Sequence, residues 1–196
     1  MSENFTSNYA FVHIPKTGGT TIEYLFFNKK KGSNHNGISS YKDHYHKFIF
    51  SIVRNPYTRI FSLFWYFKNG GNGTLSDKKK QKNCSTFYDF FQTKYSNLRT
   101  QHEILGDEHI NYVGRFENFE KEIEYLSKLL KVDCSSKIKL RNTRDNQKKL
   151  DFVIEPKMID LISEKYNIDF QKYGYSKIKL KKNMTLREFT KTYQLK

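Results

Sequence analysis

Cysteine, acidic residues and long apolar runs are all scarce in this 196-residue chain. The two cysteines, Cys84 and Cys134, form neither a ladder nor a CxxC pair. That excludes a disulfide-stapled scaffold, and two free thiols are expected. No stretch of 18 apolar residues occurs, which excludes a transmembrane helix. The opening residues MSENFTSNYAFVHI lack the charged-then-apolar order of a secretory leader. Hydrophobic residues make up only 37%, yet aromatics reach 16%, so whole-chain disorder is excluded and the core is expected to be rich in rings. The length suits one domain with a small appendage and is enough to build a core without metals or disulfides.

What is abundant is positive charge. Thirty-five Lys and Arg face 20 Asp and Glu, a net +15. Such a balance suits a polyanionic or phosphorylated partner. The charge is uneven: residues 177–196 hold seven basic residues and one acid, with further clusters at Lys29–Lys31 and Lys78–Lys82. Lysine supplies 28 of the 35 basic residues, so a compositional bias explains any single cluster equally well.

The apolar run Tyr9–Ile14, halted by Pro15, reads as a buried strand, and Thr20–Asn28 as a helix with Ile22, Leu25 and Phe26 on one face. Phe48–Val53 is a second buried strand, followed by a helix with Pro56 in its first turn and apolar residues Ile60, Phe61, Phe64 and Trp65. A short aromatic helix over Thr86–Lys94, a strand over Ile110–Gly114 and amphipathic helices over Asn118–Leu130 and Pro156–Tyr166 follow. Thr185-x-x-Glu188 has the form of a capping box. Residues 29–46, 68–83 and 133–150 read as loops. This order predicts an α/β domain with a central parallel sheet flanked by helices, and a P-loop-like loop after the first strand.

That loop is His13-Ile14-Pro15-Lys16-Thr17-Gly18-Gly19-Thr20-Thr21. Gly18 and Gly19 permit a tight turn. The following helix N-terminus, with the hydroxyls of Thr17, Thr20 and Thr21 and the charge of Lys16, makes an anion pocket. It is not a Walker loop, because the lysine precedes the glycines. The second strand ends in Arg54-Asn55-Pro56-Tyr57-Thr58-Arg59-Ile60-Phe61-Ser62. An Arg at the carboxyl end of such a strand lies where ligands bind, and Ser62 follows about two helical turns on. Arg59 reads as a solvated helix residue.

Together these motifs resemble the sulfotransferases that use 3′-phosphoadenosine 5′-phosphosulfate (PAPS), in particular the membrane-type carbohydrate family with its uronyl 2-O members. The resemblance assigns the first loop to the 5′-phosphosulfate and Arg54 with Ser62 to the 3′-phosphate. Tyr112-Val113-Gly114-Arg115-Phe116-Glu117-Asn118 is similar to a third family block and places Arg115 near the nucleotide. Lys165-Tyr166, Asp169-Phe170 and Tyr173-Gly174-Tyr175 are similar to its C-terminal pattern. The likeness covers roughly residues 9–176. A sulfotransferase domain over 1–176 and a partly helical basic extension over 177–196 are therefore expected.

The implied reaction moves a sulfuryl group from PAPS to a hydroxyl, with a carbohydrate, possibly acidic, as the favoured acceptor. Lys16 suits the charge growing on the bridging oxygen, and no metal is needed. The resemblance points to His35 as the base. His44, His46 and Glu23 stay open as alternatives, while His13 reads as a core residue. Gln101 and His102 look like a family step on the acceptor side, and Asn142-Thr143-Arg144 like a loop beside the nucleotide. Neither nucleic acid nor a membrane span is expected. Family members with an anchor and stem differ here, so a soluble, cytoplasmic enzyme of a bacterium or large virus is expected. The rival readings are a kinase-like P-loop protein and a non-catalytic basic protein that binds nucleic acid or another polyanion.

Overall fold

A computed structural model of the chain describes residues 4–29, 35–93, 98–134 and 147–195. In chain order the elements are β1 (Tyr9–Phe11), α1 (Gly19–Phe27), β2 (Phe48–Val53), α2 (Pro56–Lys68), α3 (Leu75–Lys82), α4 (Phe87–Gln92), α5 (Gln101–Leu105), β3 (Tyr112–Arg115), α6 (Phe119–Leu130), α7 (Gln147–Leu150), β4 (Val153–Ile154), α8 (Pro156–Lys165), α9 (Asn167–Lys172), β5 (Met184–Thr185) and α10 (Leu186–Thr192). They fall into two compact units, one from Met1–Arg54 and Gln101–Arg144, the other from Asn55–Thr100 and Asp145–Lys196.

The first unit carries the predicted parallel sheet, ordered β1-β2-β3. Tyr9 pairs with Phe48, and Val53 with Arg115. The central strand FIFSIV is apolar on both faces because both are covered, as parallel strands require. Ile22, Leu25 and Phe26 of α1 and Phe119, Ile123 and Leu126 of α6 cluster with Phe11, Phe50 and Ile52. The 3-4 spacing of those side chains is why these segments are helical. Glu120 and Glu122 in the first turn of α6 also suit its positive end.

β1 is shorter than its apolar run. Val12 still donates to Phe50 O at 3.0 Å, but the ladder ends there as the chain turns toward Pro15. β3 starts at Tyr112 instead of Ile110. Asn111 uses its backbone N–H on Ile49 O (2.8 Å) and its side-chain oxygen on Ile49 N (2.7 Å), replacing a regular ladder step. A 3-10 turn at Ile38–His44 interrupts the expected 29–46 loop.

The second unit is a helical stack. Pro56 opens α2, and the Asn55 side chain caps it by accepting from Tyr57 N at 3.0 Å. Its core joins Tyr57, Ile60, Phe61, Phe64 and Phe67 with Phe87 and Phe90 of α4 and Met158, Ile159 and Ile162 of α8. The C-terminal residues enter the same core: Leu180, Leu186 and Phe189 are buried. Thr185 and Glu188 form the expected capping box of α10. Two residues of β4 pair antiparallel with two of β5.

α3 lies within the expected 68–83 loop, since LSDKKKQK has no apolar period. It is held by Thr74, whose hydroxyl accepts from Asp77 N at 3.1 Å. Arg59, read as solvated, is instead fully buried, with Nη2 donating to Arg99 O at 3.0 Å and the guanidinium 5.8 Å from the Tyr166 ring centre. A lone Arg on an otherwise apolar helix face was the available signal. Cys84 and Cys134 are buried, and neither is in a disulfide. Burial, then the nearby Asp89 charge, pushes the Cys84 thiol up to about 11. Among the described residues no helix is long and apolar enough to cross a membrane.

Candidate functional site

The site is built on the carboxyl edge of the first unit's sheet. All three strands run parallel, so their C-terminal ends share one edge, where open α/β sheets bind ligands. The Lys16 loop leaves β1 there, Arg54 directly follows β2, and Arg115 closes β3 opposite Val53.

The loop itself is shaped by two left-handed residues, Lys16 (φ 70°) and Gly18 (φ 81°). Glycine tolerates that conformation freely; lysine does not, so Lys16 is a strained residue at a sharp turn. Gly18 caps α1 without any side-chain hydrogen bond. A Cβ on Gly18 would sit 2.6 Å from the Phe119 ring, and one on Gly19 would sit 2.0 Å from the His13 ring. Both glycines therefore answer to close approach as well as to the turn. Thr17 is buried and ties the loop down by donating to Ile14 O at 2.9 Å. Thr21 is buried too, and its amide donates to Gly18 O at 2.9 Å. Thr20 is half-buried. No acid occupies the first turn of α1. The first-turn amides and the positive helix end consequently face no built-in carboxylate competitor from their own turn.

Arg54 links this loop to the next strand. Its Nη1 donates to Lys16 O at 3.1 Å, and its guanidinium lies 4.2 Å from the centre of the Phe116 ring. Its backbone is held by Gln101 through two hydrogen bonds of 2.8 Å each. Arg115 is exposed, and its amide donates to Glu122 Oε1 at 2.9 Å. The other oxygen of Glu122 accepts from the Tyr112 hydroxyl. Burial and then that carboxylate raise the Tyr112 phenol well above its ordinary value. Gly114 makes room for Glu122, since a Cβ there would lie 2.7 Å from Oε2.

The histidines divide clearly. His13 is buried, as expected of a core residue, and its Nδ1 donates to the fully buried Glu23 at 2.8 Å. Asn4 donates to the same Glu23 oxygen at 2.8 Å, and Lys29 donates to Asn4 Oδ1 at 2.6 Å. Burial and then the Glu23 charge push the Tyr41 phenol up to about 12. Glu23 is thus enclosed in a polar cluster. His35 is half-buried against His13, ring centres 4.3 Å apart and edge-on, and its Nδ1 donates to His13 O at 3.3 Å. His44 lies against Phe5, ring centres 3.8 Å apart and tilted by 40°, and His46 is exposed.

The first unit accordingly brings together Lys16, Thr17, Gly18, Gly19, Thr20, Thr21, Arg54 and Arg115, with His35 set against His13 behind the loop. Ser62 lies on α2 in the second unit and is buried. Asn142-Thr143-Arg144 lies outside the described residues. Gln101 is fully buried against the Arg54 backbone, and His102 lies 3.6 Å from Asp107. Sequence reasoning missed the Gln101 clamp, the Phe116 platform and Asn4 as a partner of Glu23. Phe116 adjoins Arg115 in a block the resemblance marks, and Gln101 was marked too but for the acceptor side; Asn4 carried no signal. Among the described residues no group of three or more His, Cys, Asp or Glu is placed to hold a metal ion.

A family model described as "Sulfotransferase family" matches residues 5–176. No curated protein and no solved structure matches the chain.

Proposed function

The chain belongs to the sulfotransferase family, and from that premise we propose that it transfers the sulfuryl group of PAPS to a hydroxyl, with a carbohydrate as the favoured acceptor. The observation that carries the reading is the Arg54–Lys16 hydrogen bond at 3.1 Å, which joins the two phosphate motifs into one structure. A strained loop, a helix N-terminus and two arginines on one sheet edge form a cradle of the right chemistry for a ligand with two phosphate positions. Gly18 and Gly19 leave room for a close backbone approach.

In this reading the α1 N-terminus and Lys16 hold the 5′-phosphosulfate, and Arg54 and Arg115 serve the 3′-phosphate side. Ser62 keeps its place in the proposal on sequence resemblance. The acceptor oxygen attacks sulfur in line as the bond from sulfur to the bridging oxygen breaks. Lys16 offsets the negative charge that grows on that oxygen, and adenosine 3′,5′-bisphosphate leaves. His35 takes the hydroxyl proton. Its Nδ1–H is directed at His13 O, which leaves Nε2 with the lone pair a base needs. Glu23 is a poorer base, because it is fully buried and already accepts two hydrogen bonds.

A kinase-like reading lacks support, since the lysine precedes the glycines. Sulfate transfer from labelled PAPS, run against glycans, glycolipids, tyrosine peptides and phenols, tests the function directly. Labelled glycan is the expected product, and no transfer to any class would contradict it. In parallel, adenosine 3′,5′-bisphosphate should raise the melting temperature, and ATP or an oligonucleotide should do much less.

A further inference from the structure

Gln101 begins α5 and is fully buried, and both ends of its side-chain amide reach the backbone of one residue. Its Oε1 accepts from Arg54 N and its Nε2 donates to Arg54 O, both at 2.8 Å. The β-ladder stops one residue earlier, where Val53 pairs with Arg115. A primary amide carries the same donor and acceptor as a peptide group. Gln101 therefore extends the pairing of β2 by one residue beyond the ladder, through its side chain.

We propose that Gln101 is a positioning residue, which fixes the Arg54 backbone so that its guanidinium is aimed at the 3′-phosphate of the nucleotide. The inference rests on the PAPS reading above. With the backbone of Arg54 clamped, the side chain leaves in one direction. Phe116 supports the flat face of the guanidinium at 4.2 Å, and the Lys16 carbonyl holds one edge nitrogen at 3.1 Å. A long side chain held at backbone, face and edge gives up less freedom when the ligand arrives, so the clamp acts through pre-organisation. It places Gln101 behind Arg54, not in contact with the acceptor.

The test uses the full chain and calorimetry with two probes, adenosine 3′,5′-bisphosphate and adenosine 5′-monophosphate. Gln101→Met keeps the side-chain length but loses both hydrogen bonds. It should weaken the bisphosphate about tenfold, the size expected for two net hydrogen bonds. The monophosphate, which lacks the 3′ group, should change less than about twofold. In an Arg54→Ala background the same substitution should cost the bisphosphate less than about twofold, because the group it positions is gone. If Gln101→Met does not fold, Gln101→Glu supplies the same comparison, since it keeps the acceptor toward Arg54 N and loses the donor toward Arg54 O. Equal weakening of both probes, additive losses with Arg54→Ala, or an unchanged bisphosphate affinity would each overturn the positioning role while leaving the PAPS reading intact. Failure of the wild-type chain to bind the bisphosphate would instead overturn the PAPS reading, and this inference with it.

Discussion

The two units of the chain use burial differently. The second encloses a cluster of tilted rings: Phe61 against Phe87 at 5.5 Å, Phe64 against Phe90 at 5.5 Å, and Tyr57 against Phe170 at 4.9 Å. The first has a smaller apolar cluster and places its buried polar groups beside the sheet edge. Thr17 ties the loop, Glu23 holds His13, and Gln101 holds Arg54. Aromatic burial is non-directional and tolerates approximate fit. Buried hydrogen bonds are directional, and leaving one unmade costs the whole desolvation of a polar group. Both units bury polar groups, Arg59 among them in the second, but the ring cluster of the second should dominate its stability, while the polar contacts of the first fix where a few charged atoms point. Substitutions in the two should separate in what they damage.

The largest effect is expected at the C-terminus of the second unit. Truncation after Ser176 removes Leu180, Leu186 and Phe189 from the core and should unfold that unit. Phe189→Ala alone should cost about 3–5 kcal/mol, read from urea unfolding. An unchanged midpoint would mean that these rings contribute nothing, and the contrast between the units would fail.

Next come the catalytic candidates, where stability should hold and rate should fall. His35→Ala should lower kcat by on the order of 10²–10⁴ with little change in nucleotide affinity. Lys16→Ala should lower kcat strongly and weaken nucleotide binding only modestly. A near-wild-type His35→Ala enzyme would remove the base assignment and turn attention to His46, His44 and then Glu23.

Gly19→Ala sharpens the same contrast. In an ordinary helix the change would gain about 1 kcal/mol. Here the new methyl would meet the His13 ring at 2.0 Å, so stability and nucleotide affinity should both drop. A gain in melting temperature would show that the His13 ring yields freely.

The smallest effect concerns alkaline pH. The Tyr41 phenol is raised from 10.0 to about 12, first by burial and then by Glu23. Because the folded state holds this proton more tightly, its contribution to stability is complete below the unfolded value and is lost as pH climbs toward the folded one. Tyr41→Phe should therefore flatten the fall in stability between those two values. An identical slope in both proteins would contradict the buried, proton-retaining environment.

Much of this was legible in the chain, for reasons that differ by element. Phe48–Val53 and the Pro56 helix were read to within a residue, because apolar runs bounded by Pro and polar residues leave few alternatives. The Lys16 loop was readable because two adjacent glycines between a strand and a helix have few other uses. α3 was not, since its eight residues bury only Asp77 and rest on a cap. Arg59 was misread because its partner Arg99 O lies 40 positions away along the chain. The Gln101 clamp was hidden for the same reason, with 47 positions separating it from Arg54. Local patterns report local structure, whereas a side chain that completes a distant backbone leaves no periodic trace.

The central claim is that two phosphate motifs on one sheet edge grip one nucleotide, and calorimetry of adenosine 3′,5′-bisphosphate with wild-type and Arg54→Ala protein tests it most directly. The wild-type chain should bind, and the substitution should weaken binding by about 2–3 kcal/mol, the loss of a charge-assisted pair. Equal affinity in the two proteins, or no binding by the wild-type chain, would contradict it.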